Sequence, residues 1–219
     1  MDRIEAHLEL LLQRYPVLVP LKDQIRDVYN VIRNCYENNG KLIVGGNGGS
    51  CSDAEHIVGE LMKGFKMLRP MNAEFQQKLK DIDPVRGAEL AKGLQGGLPA
   101  VALSSHPSLN TAFLNDVSGD LMYAQQVNAL GREGDVLLAI TTSGNAGNLA
   151  YAAITAKAKG MKVVALTGKT GGVMNQLADV NLVMPCYETY QIQELHLPVY
   201  HCLCLMLEDY FFGELPCEV

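Results

Sequence analysis

The sequence predicts a doubly wound α/β fold in which a five-stranded parallel sheet lies between two layers of helices. Five short, almost wholly apolar segments recur along the chain, and each is followed by a segment with helical periodicity. Uninterrupted apolar strands of this kind are typical of parallel sheets buried on both faces, and right-handed crossovers between them produce the doubly wound arrangement. Two glycine-rich loops also follow strands, at the sheet edge where such folds bind ligands.

The elements follow one another in a regular order. Apolar residues recur at helical spacing over residues 4–13 and 21–37, which gives an N-terminal helical segment over residues 1–38. The strand and helix pairs are then strand 42–45 with helix 52–62, strand 100–103 with helix 109–117, strand 136–140 with helix 146–159, strand 162–166 with helix 171–177, and strand 180–183 with helix 190–211. This alternation predicts one domain over residues 1–219.

The composition narrows the class of protein. A net charge of -6 and a pI near 5.4, without a basic stripe, predict that the chain does not bind nucleic acid directly. There is no apolar run of about 18 residues and no signal-peptide pattern at the start, so we expect a cytoplasmic protein without a membrane partner. Six cysteines without paired spacing predict reduced thiols rather than disulfides or cysteine-bound zinc.

Two loops have the composition of anion-binding sites. Residues 45–50 read Gly-Gly-Asn-Gly-Gly-Ser after the first strand, and residues 141–145 read Thr-Thr-Ser-Gly-Asn after the third. Glycines let backbone amides approach an anion, hydroxyls add donors, and the N-terminus of the following helix carries a partial positive charge. Either loop alone could be an ordinary strand-to-helix connection. The two together, lacking the order of a dinucleotide or Walker loop, predict a sugar phosphate as ligand.

Polar residues that could take part in catalysis or metal binding lie on two of the predicted helices. His56 and Glu60 are four residues apart and therefore share a helix face. Gln193, Glu194 and His201 interrupt the apolar sequence of the last helix. Because buried polar groups need partners, these residues form either a satisfied core network or a functional site. His56 with Glu60, taken alone, is more typical of a solvated helical pair, since His and Glu at this spacing are common.

These residues occur within motifs that resemble those of the phosphoheptose isomerases, members of the SIS (sugar isomerase) domain superfamily. The resemblance covers nearly the whole chain and implies a flavodoxin-like sandwich, conversion of sedoheptulose 7-phosphate or a related sugar phosphate through an enediolate, and a homotetramer with sites at subunit interfaces. It also implies that zinc can be a cofactor. The motifs are Gly46-Asn47-Gly48-Gly49-Ser50, His56 with Glu60, residues 131–138, Thr142-Ser143-Gly144-Asn145, residues 166–169, and residues 192–196 with His201.

The resemblance assigns roles to individual residues. Glu60 is implied as the catalytic base and His201 as its acid partner. The implied metal ligands are His56, Glu60, Gln193 and His201. The implied substrate- and phosphate-binding residues are Asn47, Gly48, Gly49, Ser50, Asn115, Asp116, Thr142, Ser143, Asn145 and Gln193. Asn115 and Asp116 have an alternative interpretation as a turn that ends a helix.

The chain differs from the family at three positions that surround the substrate. Ala146 replaces a serine, Gly64 aligns with an arginine for which Lys63, Lys66 or Arg69 could substitute, and Tyr190 aligns with an aspartate. The same chemistry on another sugar is therefore expected. A non-catalytic sugar-phosphate-binding regulatory or interaction protein of the same superfamily is the alternative, favoured by Ala146.

A helical insertion over about residues 71–97 is the other departure. It predicts helices at 73–81 and 84–94, the second with Asp83 as its N-cap and Pro84 at its first position. The insertion could cover the site as a lid or pack on a neighbouring subunit. A surface addition without catalytic role is the alternative.

Overall fold

A computed structural model describes residues 3–213, and its regular elements follow the predicted order. The strands are β1 Leu42–Gly46, β2 Ala100–Ala102, β3 Val136–Ile140, β4 Lys162–Thr167 and β5 Val180–Val183. The α-helices are α1 Arg3–Arg14, α2 Lys22–Glu37, α3 Gly49–Met62, α4 Ala73–Ile82, α5 Pro84–Gly93, α6 Pro107–Asp116, α7 Met122–Leu130, α8 Gly147–Ala158, α9 Met174–Leu177 and α10 Thr189–Phe212. Three short 3₁₀ helices occupy Pro16–Leu21, Leu103–Ser105 and Gly119–Leu121.

The five strands form one parallel sheet in the order β2-β1-β3-β4-β5, which confirms the predicted fold class. The chain moves outward from β1 to β2 on one side and then returns to place β3 on the other side. Gly46 at the end of β1 pairs with Ile140 at the end of β3. Both glycine-rich loops therefore leave the sheet side by side, at the switch point where doubly wound sheets bind ligands.

Helices cover both faces of the sheet. Leu42 and Val44 of β1 pack in a core cluster with α1, α2, α3 and α10. Ile43 of the same strand points the other way and packs in a second cluster with α7 and α8. The alternation of side chains along a strand thus produces two apolar cores from one uninterrupted apolar segment. Helices α3 and α10 carry the predicted catalytic and metal-binding residues. Both lie on the face of the sheet that packs in the first core cluster.

The main differences from the sequence-based expectation concern α7, β2, α9 and α3. Helix α7 is not predicted, because only Tyr123 and Val127 give it a buried stripe. Strand β2 ends at Ala102, where a 3₁₀ turn begins. The helix expected at 171–177 is confined to α9, because Gly171 and Gly172 adopt left-handed φ angles of 78° and 53°. Helix α3 begins at Gly49, directly in the first glycine-rich loop, and not at residue 52.

The segment between α3 and β2 is a helical hairpin. Asp83 ends α4 and caps α5, since its carboxylate accepts hydrogen bonds from the amides of Val85 and Arg86 at 3.0 and 2.9 Å, as its sequence predicts. The two ends of the hairpin meet in an isolated antiparallel bridge between Pro70 and Gln95. The hairpin therefore leaves and rejoins the body at one point.

Two further features concern the whole described chain. No helix within residues 3–213 combines the length and the apolar composition needed to cross a membrane. The five cysteines in this part of the chain are free thiols, and Cys217 lies outside it.

Candidate active site

The first part of the site is a cavity of about 350 Å³ at the carboxyl ends of β1 and β3, referred to here as the cradle. Seven of the sequence-predicted phosphate residues line it. The lining residues are Asn47, Gly48, Gly49, Ser50, Ile140, Thr141, Thr142, Ser143, Ala146, Thr189 and Gln193. Helix α3 starts at its rim, so the positive end of the helix dipole faces the space where an anion would lie.

The backbone of the two loops sets the shape of the cradle. Gly48 has a φ of 57° and leads directly into α3. Gly144 has a φ of 70°, and a Cβ atom there would lie 2.0 Å from the carbonyl oxygen of Gly171. The side chains of Asn47 and Asn148 exchange two amide hydrogen bonds of 2.9 Å, which tie the first loop to α8. Two glycines with left-handed φ angles and one pair of side-chain amides thus fix the conformation of the loops that form the cradle.

Asn145 braces the second loop and does not line the cradle. Its Oδ1 accepts a hydrogen bond from the amide of Val173 at 3.0 Å, and its Nδ2 donates to the carbonyl oxygen of Ser143 at 3.2 Å. Asn115 and Asp116 also lie outside the cradle lining, at the end of α6. Their side chains are exposed and hydrogen-bond to each other at 2.8 Å. Within residues 3–213, this pair therefore lies outside the cradle lining and at the end of α6, and its role in substrate binding stays a prediction.

The second part of the site is a cluster of side chains from α3 and α10, referred to here as the cluster and composed of His56, Glu60 and His201. His56 Nε2 lies 3.2 Å from Glu60 Oε1 and 3.4 Å from His201 Nε2. The carboxylate of Glu60 is mostly buried, whereas the ring of His56 is 41% exposed. Lys63 Nζ lies 3.2 Å from the other oxygen of Glu60. The cluster is therefore open to solvent on the His56 side, where a substrate can enter.

Tyr200 and Asp53 orient the imidazole of His56. The hydroxyl of Tyr200 donates to Asp53 Oδ1 at 3.2 Å and lies 3.0 Å from His56 Nδ1. With its proton directed to Asp53, the hydroxyl oxygen accepts from His56 Nδ1–H, a tautomer assigned from this network. The lone pair of His56 Nε2 then faces Glu60. Burial and the neighbouring Asp53 carboxylate raise the pKa of Tyr200, so its hydroxyl keeps its proton at neutral pH.

His201 is neutral at neutral pH. Partial burial and the nearby His56 lower its pKa below the ordinary value of 6.5, and the carboxylate of Glu60 only partly offsets them. A neutral imidazole can donate a proton from one ring nitrogen and accept one at the other. The ring also packs against Phe65, with centroids 5.3 Å apart. His201 is therefore suited to proton transfer but not to permanent charge neutralisation.

Gln193 lies at the cradle and not in the cluster. A Cβ atom on Gly49 would come within 2.5 Å of Gln193 Nε2, so the side chain rests on the first loop. Gln193 and His201 are eight residues apart on α10, which corresponds to roughly 12 Å along the helix axis. One helix thus contributes to both parts of the site, and coordination of a single metal ion by all four implied ligands stays a prediction.

The donor atoms of the cluster match part of a metal site. The two separations of 3.2 and 3.4 Å from His56 Nε2 are close to the ligand–ligand distance expected around tetrahedral zinc with bonds of about 2.1 Å. A lone pair facing a carboxylate oxygen at this distance requires a proton or a cation between them. The Tyr200 hydrogen bond to Nδ1 is the kind of outer-shell contact that fixes a histidine ligand. Residues 3–213 nevertheless contain no group of three His, Cys, Asp or Glu side chains already arranged to hold a metal.

The structure distinguishes between the three residues that could replace the family's substrate-binding arginine, which aligns with Gly64. Arg69 is fully buried and forms an ion pair with Glu208, so it cannot reach a substrate. Lys66 is exposed, and Lys63 is adjacent to Glu60. Lys63 is therefore the cation best placed beside the cluster.

Sequence reasoning missed Asp53, Tyr200 and Asn148. Asp53 shares the helix face of His56 and Glu60, since the three follow one another at spacings of three and four residues, and this spacing was a usable signal. Tyr200 is adjacent in sequence to His201, but its contact with α3 spans 144 residues. That contact could not be read from local pattern.

Comparison with known proteins places the chain among sugar-phosphate proteins. Residues 85–168 match the SIS domain. The phosphoheptose isomerase of Alkalilimnicola ehrlichii is 38% identical over 216 residues, 97% of each chain. That of Burkholderia pseudomallei is 38% identical over 87% of this chain and 83% of its own. The structure of the phosphoheptose isomerase from Neisseria gonorrhoeae superposes with a TM-score of 0.72 at 31% identity, covering 95% of this chain and 98% of that one.

A more distant likeness concerns the fold alone. The Vibrio vulnificus NanR protein, solved in complex with ManNAc-6P, shares the fold with a TM-score of 0.55 at 14% identity.

Proposed function

The chain belongs to the phosphoheptose isomerase family and is a phosphosugar isomerase, and from this premise we propose which residues perform the reaction. The substrate is sedoheptulose 7-phosphate or a related sugar phosphate, converted between ketose and aldose through an enediolate. The observation that carries the proposal is that α3 and α10 each connect the cradle with the cluster. A phosphate in the cradle and a carbonyl at the cluster would occupy opposite ends of one extended sugar.

The cradle binds the phosphate. The N-terminus of α3, the hydroxyls of Ser50, Thr142 and Ser143, and the amides of Gly48 and Gly49 supply its donors. Gln193 also lines the cradle, where its amide would donate a hydrogen bond to a sugar hydroxyl. Binding at a fixed distance from the cluster positions the carbon next to the carbonyl for proton removal.

Glu60 and His201 move the protons. The carboxylate of Glu60 removes the proton from the carbon next to the carbonyl and returns it to the neighbouring carbon. Neutral His201 donates a proton to the carbonyl oxygen and receives one from the adjacent hydroxyl, so that each proton taken up is released again. Lys63 stands beside Glu60, where its ammonium group donates a hydrogen bond to the carboxylate.

Zinc is part of the proposal. His56, Glu60 and His201 would hold the ion, with Gln193 as the further ligand implied by the family resemblance. When bound, zinc polarises substrate oxygens and stabilises negative charge on them. Metal analysis of the purified protein, compared with a His56→Ala variant, tests this part. Equal zinc content in the two proteins would remove His56 from the metal site.

Proton exchange provides the test of the function. The protein is incubated in D₂O with sedoheptulose 7-phosphate and with a panel of five- to seven-carbon sugar phosphates, and deuterium next to the carbonyl is followed by NMR. Deuterium incorporation with formation of the isomer is expected for at least one sugar. Thermal stabilisation by a sugar phosphate without exchange would instead support a regulatory binding protein, the alternative that Ala146 favours.

We propose that the protein acts as a cytoplasmic homotetramer and that residues 1–219 form a single SIS domain with a helical insertion at 71–97. Leu10, Val19 and Leu197 are large apolar residues that are between 41% and 52% exposed in one chain. Leu10 and Leu197 border a groove of about 210 Å³ between α1 and α10 that also contains His201. Light scattering after size-exclusion chromatography should give four times the chain mass of 23.9 kDa. A monomer would contradict the proposal.

A further inference from the structure

Within residues 3–213, Arg69 and Glu208 form a fully buried ion pair that the proposed reaction does not use. Arg69 and Glu208 are 0% and 1% exposed, and the shortest distance between their charged groups is 2.8 Å. Burying two charges carries a large desolvation cost unless their remaining hydrogen-bonding groups are also satisfied. Both are satisfied here, and their other partners all lie near the cluster.

Arg69 binds the end of the helix that carries Glu60. Its Nη1 donates to the carbonyl oxygen of Leu61 at 2.8 Å, and its Nη2 donates to that of Glu60 at 3.2 Å. The last carbonyl groups of a helix have no partner within the helix, and the C-terminal end of the dipole favours a cation. The guanidinium therefore fixes the final turn of α3, and with it the backbone of the catalytic base.

Glu208 binds the segment that follows α3. Its two carboxylate oxygens accept hydrogen bonds from the amides of Phe65 and Lys66 at 2.7 and 2.8 Å. This contact holds Phe65 where its ring packs against His201. Glu208 and His201 both lie on α10. The carboxylate of Glu208 therefore joins the helix of His201 to the segment that follows α3, the helix of Glu60.

The helical hairpin is attached at the same point. The carbonyl oxygen of Arg69 accepts a hydrogen bond from the amide of Gly96 at 2.6 Å, and Pro70 bridges to Gln95. Gln95 in turn accepts from the amide of Gly64 at 2.7 Å. The end of α3, the start of α4 and the exit from α5 thus share one hydrogen-bonded junction.

We propose that Arg69 and Glu208 are positioning residues for the isomerisation, which set the orientation of Glu60 relative to His201. The inference rests on the proposed function, because it names groups that act through its acid and base. Removal of either charge releases the last turn of α3 and the Phe65 segment without altering any group that touches the substrate. Misplacement of a catalytic group by about 1 Å can slow a reaction by about 100-fold.

The chain offers a matched control at the opposite edge of the sheet. Asp135 is only 4% exposed and accepts hydrogen bonds from the amides of Lys41 and Arg132 at 2.9 and 2.8 Å, as well as from the side chain of Lys41. It therefore resembles Glu208 in burial and in partners. It precedes β3 by one residue, so it lies at the amino edge, away from the cluster.

Glu208→Gln and Asp135→Asn are compared with the unaltered protein at a temperature where all three are folded. Both variants should have a lower Tm. Glu208→Gln should lower kcat about 10- to 100-fold while KM changes less than about threefold. Asp135→Asn should keep kcat within about twofold. Equal losses of kcat in the two variants, or a kcat within twofold for folded Glu208→Gln, would overturn the proposal.

A double variant covers the case in which Glu208→Gln does not fold. Arg69→Met with Glu208→Leu removes both charges, and such apolar replacements are often tolerated. It also removes the four hydrogen bonds to the end of α3 and the Phe65 segment. The same loss of kcat is expected, and an unchanged kcat would overturn the proposal.

Hydrogen exchange separates a failure of this inference from a failure of the proposed function. Amides of residues 60–66 should exchange at least about tenfold faster in Glu208→Gln, and those of residues 132–136 in Asp135→Asn. Unchanged protection at residues 60–66 would overturn the positioning role, whether or not turnover is detected. Faster exchange there, together with no turnover in the unaltered protein on any sugar phosphate, would contradict only the isomerase function.

Discussion

The cradle and the cluster are built in opposite ways. The cradle takes its shape from backbone, because Gly48 and Gly144 adopt left-handed angles and the loops follow directly from β1 and β3. The cluster takes its shape from side chains on α3 and α10, and His56 and His201 are 145 residues apart in sequence. Binding and proton transfer therefore depend on different interactions. Either can be damaged while the other is kept, and the predictions below use that separation.

The largest effect is expected from Glu60→Gln, which removes the base and leaves the cradle unchanged. The kcat should fall by about 10²- to 10⁴-fold, the contribution of proton transfer by a positioned carboxylate. The Kd for the sugar phosphate, measured by calorimetry, should change by less than about threefold. Retained turnover would remove Glu60 from the mechanism, and a lost affinity would show that the two parts are not separable.

Gly144→Ala should have the next largest effect, at the cradle. The added Cβ atom would meet the carbonyl oxygen of Gly171 at 2.0 Å, on a residue with a left-handed φ. We expect a loss of roughly 2 kcal/mol or more in the free energy of unfolding and a raised KM, with kcat less affected.

Gly147→Ala is the control for this substitution. Its Cβ atom would find only an oxygen of Asp120, at 4.0 Å. Urea unfolding and substrate titration should show no comparable change. Equal effects of the two substitutions would contradict the backbone origin of the cradle.

The stability of the protein should depend on pH through a buried histidine on α10, the helix that the cradle and the cluster share. His196 lies on α10 between Gln193 and His201, is fully buried, and has its Nε2 3.2 Å from the carbonyl oxygen of Thr167. Burial lowers its pKa from 6.5 to about 4. Between these values the unfolded chain binds a proton that the folded chain does not, so stability falls as the pH falls.

The size of the pH effect follows from that difference in pKa. The free energy of unfolding should decrease by roughly 3 kcal/mol between pH 7 and pH 4 from His196 alone. A His196→Asn variant should show a flatter pH dependence in urea unfolding than the unaltered protein. Parallel pH profiles for the two proteins would contradict this assignment.

The smallest effect is a gain at the cradle. Ala146 lines the cradle and precedes α8 without a side-chain cap. Ala146→Ser should supply both an N-cap, worth about 1 kcal/mol of stability, and a hydroxyl donor to the phosphate. A rise in Tm with a Kd for sugar phosphate lowered about two- to tenfold is expected. An unchanged Kd would show that position 146 does not face the phosphate.

The contrast also explains what the sequence could and could not predict. Apolar strands and glycine loops are local signals, so the sheet and most of the cradle follow from short segments. Spacing placed His56 beside Glu60 correctly. The family resemblance also placed Gln193 among the phosphate-binding residues, and Gln193 lines the cradle.

Other parts of the site depend on tertiary contacts. The pairing of Tyr200 with His56, and the use of Arg69 inside the protein, join segments more than 130 residues apart. From the sequence alone, Arg69 is a candidate to contact the substrate. Its true place follows only from Glu208, which lies on the last helix.

The bridge between Pro70 and Gln95 makes the hairpin of α4 and α5 a separable unit of the chain. Because α4 and α5 leave and rejoin the body at adjacent points, a segment of this kind can be gained, lost or exchanged as a unit without altering the path of the strands. Positions of this sort accept foreign segments in other proteins. The tip of the hairpin around Asp83 is therefore a suitable place to attach a label or a binding module to the folded protein.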